Sequence, residues 1–157
     1  MRVRSATGSD VPALIALGRQ MHHESRYRDL PFDALRAGFN VHRWIAADAN
    51  RVAVAETGGR LAGAMVGAIG TWYFHSGRQA TDLALYVLPA HRGSRAALLL
   101  VRDFLDWAVA NGCIEATIAT STGINPETAG RFLTRTGFAP CGGVFKQRLR
   151  AAPGTLQ

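Results

Sequence analysis

The sequence predicts an α/β fold built on a mixed sheet, and three observations carry that expectation. First, the strand-like run Thr81–Leu88 stops at Pro89, and a helical stripe of Ala97, Leu98, Val101, Phe104, Leu105 and Ala108 follows before strand-like Ile114–Thr120. Strand, helix, strand in that order is a crossover unit with parallel strands and a right-handed connection. Second, Val52–Glu56 and Leu61–Gly70 flank Thr57-Gly58-Gly59-Arg60. Paired glycines supply the positive φ of a tight hairpin, so these two strands run antiparallel. Third, 48% of the 157 residues are apolar, enough for a chain of this length to bury a core of its own.

The remaining elements follow in order. Arg2–Ala6 alternates as a short strand. Thr7 and Asp10 fit a capping box, ahead of Val11, Leu14, Ile15 and Met21 at helical spacing, in a helix ending near Glu24. His22–Arg28 is polar and aperiodic. Asp33 can cap a second, short helix carrying Leu35 and Phe39. Glycines 63, 67 and 70 suggest a bulge or a close backbone approach. Trp72–Gly77 reads as an aromatic loop. Arg102, Asp103 and Asp106 take the wet side of the crossover helix, which Asn111-Gly112 stops. Asn125 caps a last helix with Pro126 in its first turn, and that helix ends at Thr136-Gly137. Phe138–Leu149 reads as the final strands, broken at Cys141-Gly142-Gly143. With no repeat and no linker, residues 1–150 form one domain, and residues 151–157 form a frayed tail.

Composition narrows the function classes. Cys113 and Cys141 lack metal-ligand spacing and read as reduced thiols. His22-His23 point in different directions on a helix, with no carboxylate at ligand spacing, so no metal is expected. The N-terminus lacks the apolar run of a signal peptide. The longest apolar stretch, Leu61–Ile69, is too short to span a bilayer, so the expected location is the cytoplasm. The net charge of +7 favours anionic partners, either nucleic acid or a polyphosphate. Scattered arginines without interleaved aromatics weigh against nucleic acid.

The chemistry concentrates in Leu83–Ala97. A strand ends, a short loop with arginine and glycine follows, and a helix starts at once. The first amides of a helix have no intrahelical partner and sit at the positive end of its dipole, which makes an anion site. Gly93 lets backbone approach a phosphate, Ser94 is a neutral donor, and Arg92 and Arg95 add charge. The plain alternative is a helix start with two solvated arginines.

The run Leu85-Tyr86-Val87-Leu88-Pro89-Ala90-His91-Arg92-Gly93, with Ala97 four residues on, resembles the acetyl-CoA loop of GNAT-type N-acetyltransferases. Their pattern is Gln/Arg-x-x-Gly-x-Gly/Ala after a strand ending in Val-x-Pro. Arg92 matches its first position and Ala97 its last, while Arg95 replaces the middle glycine. Arg2–Asp10 is similar to the family's opening strand and capped helix. Asn125, Ala129, Phe132, Gly137 and Phe138 are similar to its late helix, and the order of elements agrees from residue 1 to about 150.

The resemblance implies a GNAT-like sheet of about six to seven strands flanked by about four helices. That sheet splays where Thr81–Leu88 and Ile114–Thr120 part. The pantetheine arm of acetyl-CoA would lie in the split, held by backbone near Leu85 and Val87. The pyrophosphate would rest on the amides of Gly93, Ser94, Arg95, Ala96 and Ala97, with Arg92 beside it. Asn125 and Phe132 would border the cofactor. The implied activity is transfer of an acetyl group to a primary amine of a small molecule or protein, by direct attack in a ternary complex, with a homodimer possible for the family.

Such a reaction needs a neutral amine, a polarised carbonyl and a proton for the leaving thiolate. A lysine-like amine of pKa about 10.4 must lose a proton first. Glu24, Asp82 and His75 are the candidate bases, and Glu24 could instead bind a cationic amine or pair with Arg28. The Val87 N–H is the candidate carbonyl donor. The family's usual thiolate acid is a tyrosine at the position of Leu133, which cannot donate. Tyr86, Tyr73 or water would replace it, or free thiolate would leave. Two other readings stand beside this one. A coenzyme A-binding regulatory module without turnover is suggested by Leu133 and Arg95, and a basic nucleic-acid-binding domain by the charge.

Overall fold

The computed structural model describes residues 1–149. The tail expected at 151–157 lies outside them. The chain divides into two compact units, Met1–Ile124 and the chain from Asn125 onward.

The first unit is a five-stranded mixed sheet with three helices. Its elements run β1 (Arg2–Ser5), α1 (Val11–Glu24), α2 (Ala34–Ala46), β2 (Asn50–Thr57), β3 (Arg60–Trp72), β4 (His75–Val87), α3 (Ala96–Ala110) and β5 (Cys113–Thr117). Spatial order equals chain order, β1 to β5. The first four strands pair antiparallel, and β5 joins β4 in parallel through α3, as the crossover pattern requires.

One face of the sheet, with Val52, Val54, Val66 and Tyr86, packs on Val11, Leu14 and Leu17 of α1 and Val41 of α2. The other face lies under α3. There a Cβ added at Gly67 would fall 2.6 Å from Phe104 Cε2, so only glycine lets that ring lie flat on the strand. Phe104, Leu100 and Val101 are fully buried. The close approach expected of these glycines is therefore present at Gly67, and at Gly63 beside the Tyr86 carbonyl, but not at Gly70, which has nothing within 4 Å of an added Cβ; the β3–β4 register also shifts beside Gly67. Val66 pairs with Ala84, and Gly67 with Asp82, which leaves Leu83 as the extra residue of a bulge.

Several element limits differ from the sequence expectation. The loop expected at Trp72–Gly77 shrinks to a turn at Tyr73-Phe74, because Trp72 and His75 pair across the hairpin. The second helix is not short. Asp33 caps it, accepting the Arg36 N–H at 2.9 Å, but it runs thirteen residues, burying Gly38 and Val41 and leaving Leu35 and Phe39 exposed. Asp103 is not on the wet side of α3. It is half-buried in a two-bond pair with Arg51, at 2.6 and 2.8 Å.

The second unit contains α4 (Pro126–Arg135). Asn125 does not cap it through its side chain; it enters the helix at φ +43, a left-handed conformation asparagine tolerates. Gly137, at φ +98, closes the helix, and the Phe138 N–H donates to the Leu133 carbonyl at 3.1 Å. Phe138–Leu149 forms no strand, so the described sheet has five strands rather than six or seven.

Candidate active site

The parallel ladder between β4 and β5 is short. Its last pair is Thr81 with Thr117, after which the strands part. Just past that point the Asp82 carboxylate accepts the Ala119 N–H at 2.8 Å, a side chain bridging where backbone pairing has stopped. Burial pushes the Asp82 carboxyl above its ordinary value, against the opposing pull of the amides it accepts.

Beyond Asp82 the free edge of β4 faces the gap. The Leu88 N–H donates to Ala62 on β3 at 2.9 Å. Alternation along an antiparallel ladder then turns the polar backbone groups of Leu85 and Val87 toward the side that β5 has left.

The strand ends in a single turn, Pro89–His91, and then Gly93 at φ +81, a conformation glycine adopts without strain. The Ser94 hydroxyl donates to the His91 carbonyl at 2.6 Å and accepts the Ala96 N–H at 3.2 Å, so it ties the loop to the first residue of α3. Arg95 is exposed. The amides of Gly93, Arg95 and Ala97 have no hydrogen-bond partner among the described residues. Three free amides at the positive end of a fifteen-residue helix form an anion-binding surface.

Glu24, the last residue of α1, meets this region. Its carboxylate accepts the Tyr86 hydroxyl and, on its other oxygen, an Arg92 guanidinium N–H at 2.6 Å. The Arg92 guanidinium also lies 5.6 Å over the Tyr86 ring, and its Nε donates to the Val87 carbonyl at 3.2 Å. Burial raises the Glu24 carboxyl, but the bonds from Tyr86 and Arg92 outweigh it and the net direction is down. Burial, reinforced by the Glu24 charge, pushes the Tyr86 phenol well above its ordinary value, so it stays protonated and donates.

Ser25 fixes the end of α1. It is 2% exposed, its hydroxyl donates to the His22 carbonyl at 2.9 Å, and it accepts the Tyr27 N–H at 3.1 Å. One residue further, the Arg26 N–H donates to the Thr122 carbonyl beyond β5 at 2.9 Å. The exit of α1 thus touches the end of β4 through Glu24 and the chain after β5 through Arg26.

Of the candidate site residues, the structure brings together Glu24, Tyr86 and Arg92. Asp82 lies four residues up β4 from Tyr86 with the Leu83 bulge between them, roughly 10–13 Å along the strand. His75 pairs with Trp72 at the far end of the hairpin, more than roughly 30 Å along β4 from Tyr86, and its Nδ1 accepts the Gly77 N–H at 2.8 Å. Asn125 and Phe132 belong to the second unit, where Phe132 is half-buried and Leu133 buried. The Glu24–Arg92 pair and the part played by Ser25 are not evident from the sequence. The first joins residues 68 apart and leaves no local signal. A serine right after a helix is a signal, but an ambiguous one. Among the described residues no group of three His, Cys, Asp or Glu side chains could hold a metal, and no helix is long and apolar enough to cross a membrane.

A parted pair of parallel strands leading into a helix with free amides marks an α/β protein whose strand ends can receive an anion. The chain belongs to the acetyltransferase (GNAT) family, whose model it matches over residues 19–138. Solved structures agree in fold. An aminoglycoside 6'-N-acetyltransferase from Acinetobacter haemolyticus superimposes with TM-score 0.75 at 17% identity, covering 97% of this chain and 100% of that one. AAC(6')-Iy in complex with the bisubstrate analogue CoA-S-monomethyl-acetylneamine gives TM-score 0.74 at 21% identity, covering 95% and 97%. A ribosomal-protein-alanine N-acetyltransferase from Brucella melitensis biovar Abortus 2308 gives 0.71 at 16% identity, covering 95% and 100%. No curated protein sequence matches the chain.

Proposed function

We propose that the protein is an N-acetyltransferase that moves an acetyl group from acetyl-CoA to a primary amine in a ternary complex. The observation that carries this reading is the opening of β4 from β5 beyond Thr81–Thr117, directly ahead of the free amides of Gly93, Arg95 and Ala97. The pantetheine arm pairs with the freed edge at Leu85 and Val87. The diphosphate takes the amides of the Gly93–Ala97 turn with Arg92, Ser94 and Arg95 around it, and Ala96 sets the turn against the core. The solved relative in complex with a CoA bisubstrate analogue supports this choice of acyl donor. The family match runs through both compact units, which supports one acetyltransferase domain.

In the reaction the amine nitrogen attacks the thioester carbonyl, the C–S bond breaks, and the amine proton must leave. Glu24 holds the acceptor's ammonium where its carboxylate accepts the Arg92 guanidinium in this structure, since a carboxylate beside a cation is held below its usual range and is a good anchor and a poor base. Asp82, pushed up by burial, suits the proton-accepting role better, acting through water. The Val87 N–H polarises the carbonyl. Tyr86 keeps its proton and orients Glu24, and the thiolate leaves without a protein acid at Leu133. The protein acts in the cytoplasm, with a small-molecule or protein amine as partner.

Purified protein given acetyl-CoA and a panel of primary amines is expected to release free thiol only when an amine is present. Tight coenzyme A binding with no thiol release across the panel would favour a regulatory module instead, the reading that Leu133 invites.

A further inference from the structure

The Arg92 side chain stands in two places at once that the proposed reaction needs empty. Its terminal nitrogen fills the Glu24 carboxylate, where the acceptor's cation is to sit, and its Nε occupies the Val87 carbonyl, on the edge where pantetheine is to pair. Its own backbone directly precedes Gly93, the start of the free-amide turn. The side chain is about one-third exposed, so it can turn between the two positions without unpacking the core. It is the one guanidinium tied to Glu24 among the described residues.

We propose that Arg92 is a latch that the cofactor's diphosphate opens, and that its release turns Glu24 into the subsite for a cationic primary amine. The inference rests on the acetyltransferase reading above. With no cofactor bound, an incoming ammonium must displace a cation that is tethered beside Glu24 and therefore always present. When a diphosphate lies on the Gly93–Ala97 amides, Arg92 gains a doubly charged partner on its own side of the loop. Glu24 then keeps only the Tyr86 hydroxyl. A half-buried carboxylate left without its cation is costly, and an amine that arrives as an ammonium relieves that cost. The same movement uncovers the Val87 carbonyl. Cofactor and acceptor therefore bind with positive coupling, cofactor first, and the coupling is reciprocal. The acceptor is cationic at the nitrogen to be acetylated.

The test inverts the usual sign of an active-site mutation. Calorimetry with coenzyme A on the full chain is expected to show Glu24→Gln binding about twofold to fivefold tighter than wild type, because Arg92 no longer has to leave an ion pair. In an Arg92→Ala background the same substitution is expected to change nothing. Glu24→Ala gives the same comparison should Glu24→Gln not fold. Equal or weaker binding by the Glu24 variants, or a gain that persists without Arg92, overturns the latch while leaving the acetyltransferase reading intact. A wild-type protein that does not bind coenzyme A overturns both.

Discussion

At the residue scale the polar groups of this protein work in sets. Arg4 donates two hydrogen bonds to Asp10, at 2.7 and 2.8 Å, and a third to Glu56 at 2.9 Å, while Asp10 also accepts the Thr7 N–H at 2.8 Å. That last bond is the reach-back the sequence led one to expect of Asp10. The bonds from Arg4 hold the Asp10 carboxyl well below its ordinary range, against the opposing effect of burial. A lowered carboxyl adds stability above its unfolded pKa and loses it as pH falls toward its folded one. Asp10→Asn is thus expected to cost about 2 kcal/mol at neutral pH. The deficit should shrink as pH drops from about 5 toward about 2. Urea midpoints for both proteins at neutral and acid pH check this; a deficit independent of pH would mean the cost does not come from the carboxylate's charge. Glu24 obeys the same physics but is satisfied by Tyr86 and Arg92 from two distant segments, so its environment could not be read from its neighbours in the chain.

At the element scale, the edge that faces the split depends on how closely β3 supports β4. A Cβ on Gly63 would lie 2.6 Å from the Tyr86 carbonyl oxygen and 3.1 Å from the Val87 Cα. Both are backbone atoms that cannot swing aside. Gly63→Ala should therefore lower stability by about 1–3 kcal/mol and weaken coenzyme A binding by displacing Val87. Gly70, with nothing within 4 Å of an added Cβ, supplies the control, and Gly70→Ala should shift stability by less than about 1 kcal/mol. Thermal denaturation paired with calorimetry separates the two, and equal behaviour of the variants would show that the ladder has slack at Gly63. The glycine pattern flagged close approach in advance. It did not say that the extra residue of the bulge is Leu83, because register is set by which faces the two strands bury together.

At the scale of the whole molecule, the charge of +7 and the free helix amides suit an anionic ligand. Binding to the folded state alone stabilises it by about 2.7 kcal/mol at a ligand concentration one hundred times Kd. Coenzyme A at that level should raise Tm by about 5–10 °C, less at high salt as charges are screened. Scanning calorimetry with and without the ligand decides it, and an unmoved Tm at saturating coenzyme A would remove the cofactor from the proposal. The sequence by itself determined the parallel crossover, the glycine hairpin, the Asp33 cap and the helix start after Arg92, because periodicity, caps and turn residues act over a few neighbours. It did not determine the length of α2, or that Phe138–Leu149 forms no strand. Nor did it determine that Glu24, Tyr86 and Arg92 share one hydrogen-bonded cluster. Those outcomes depend on which distant surfaces bury one another, and pairings across 62 and 68 residues arise only once the sheet and α1 have packed.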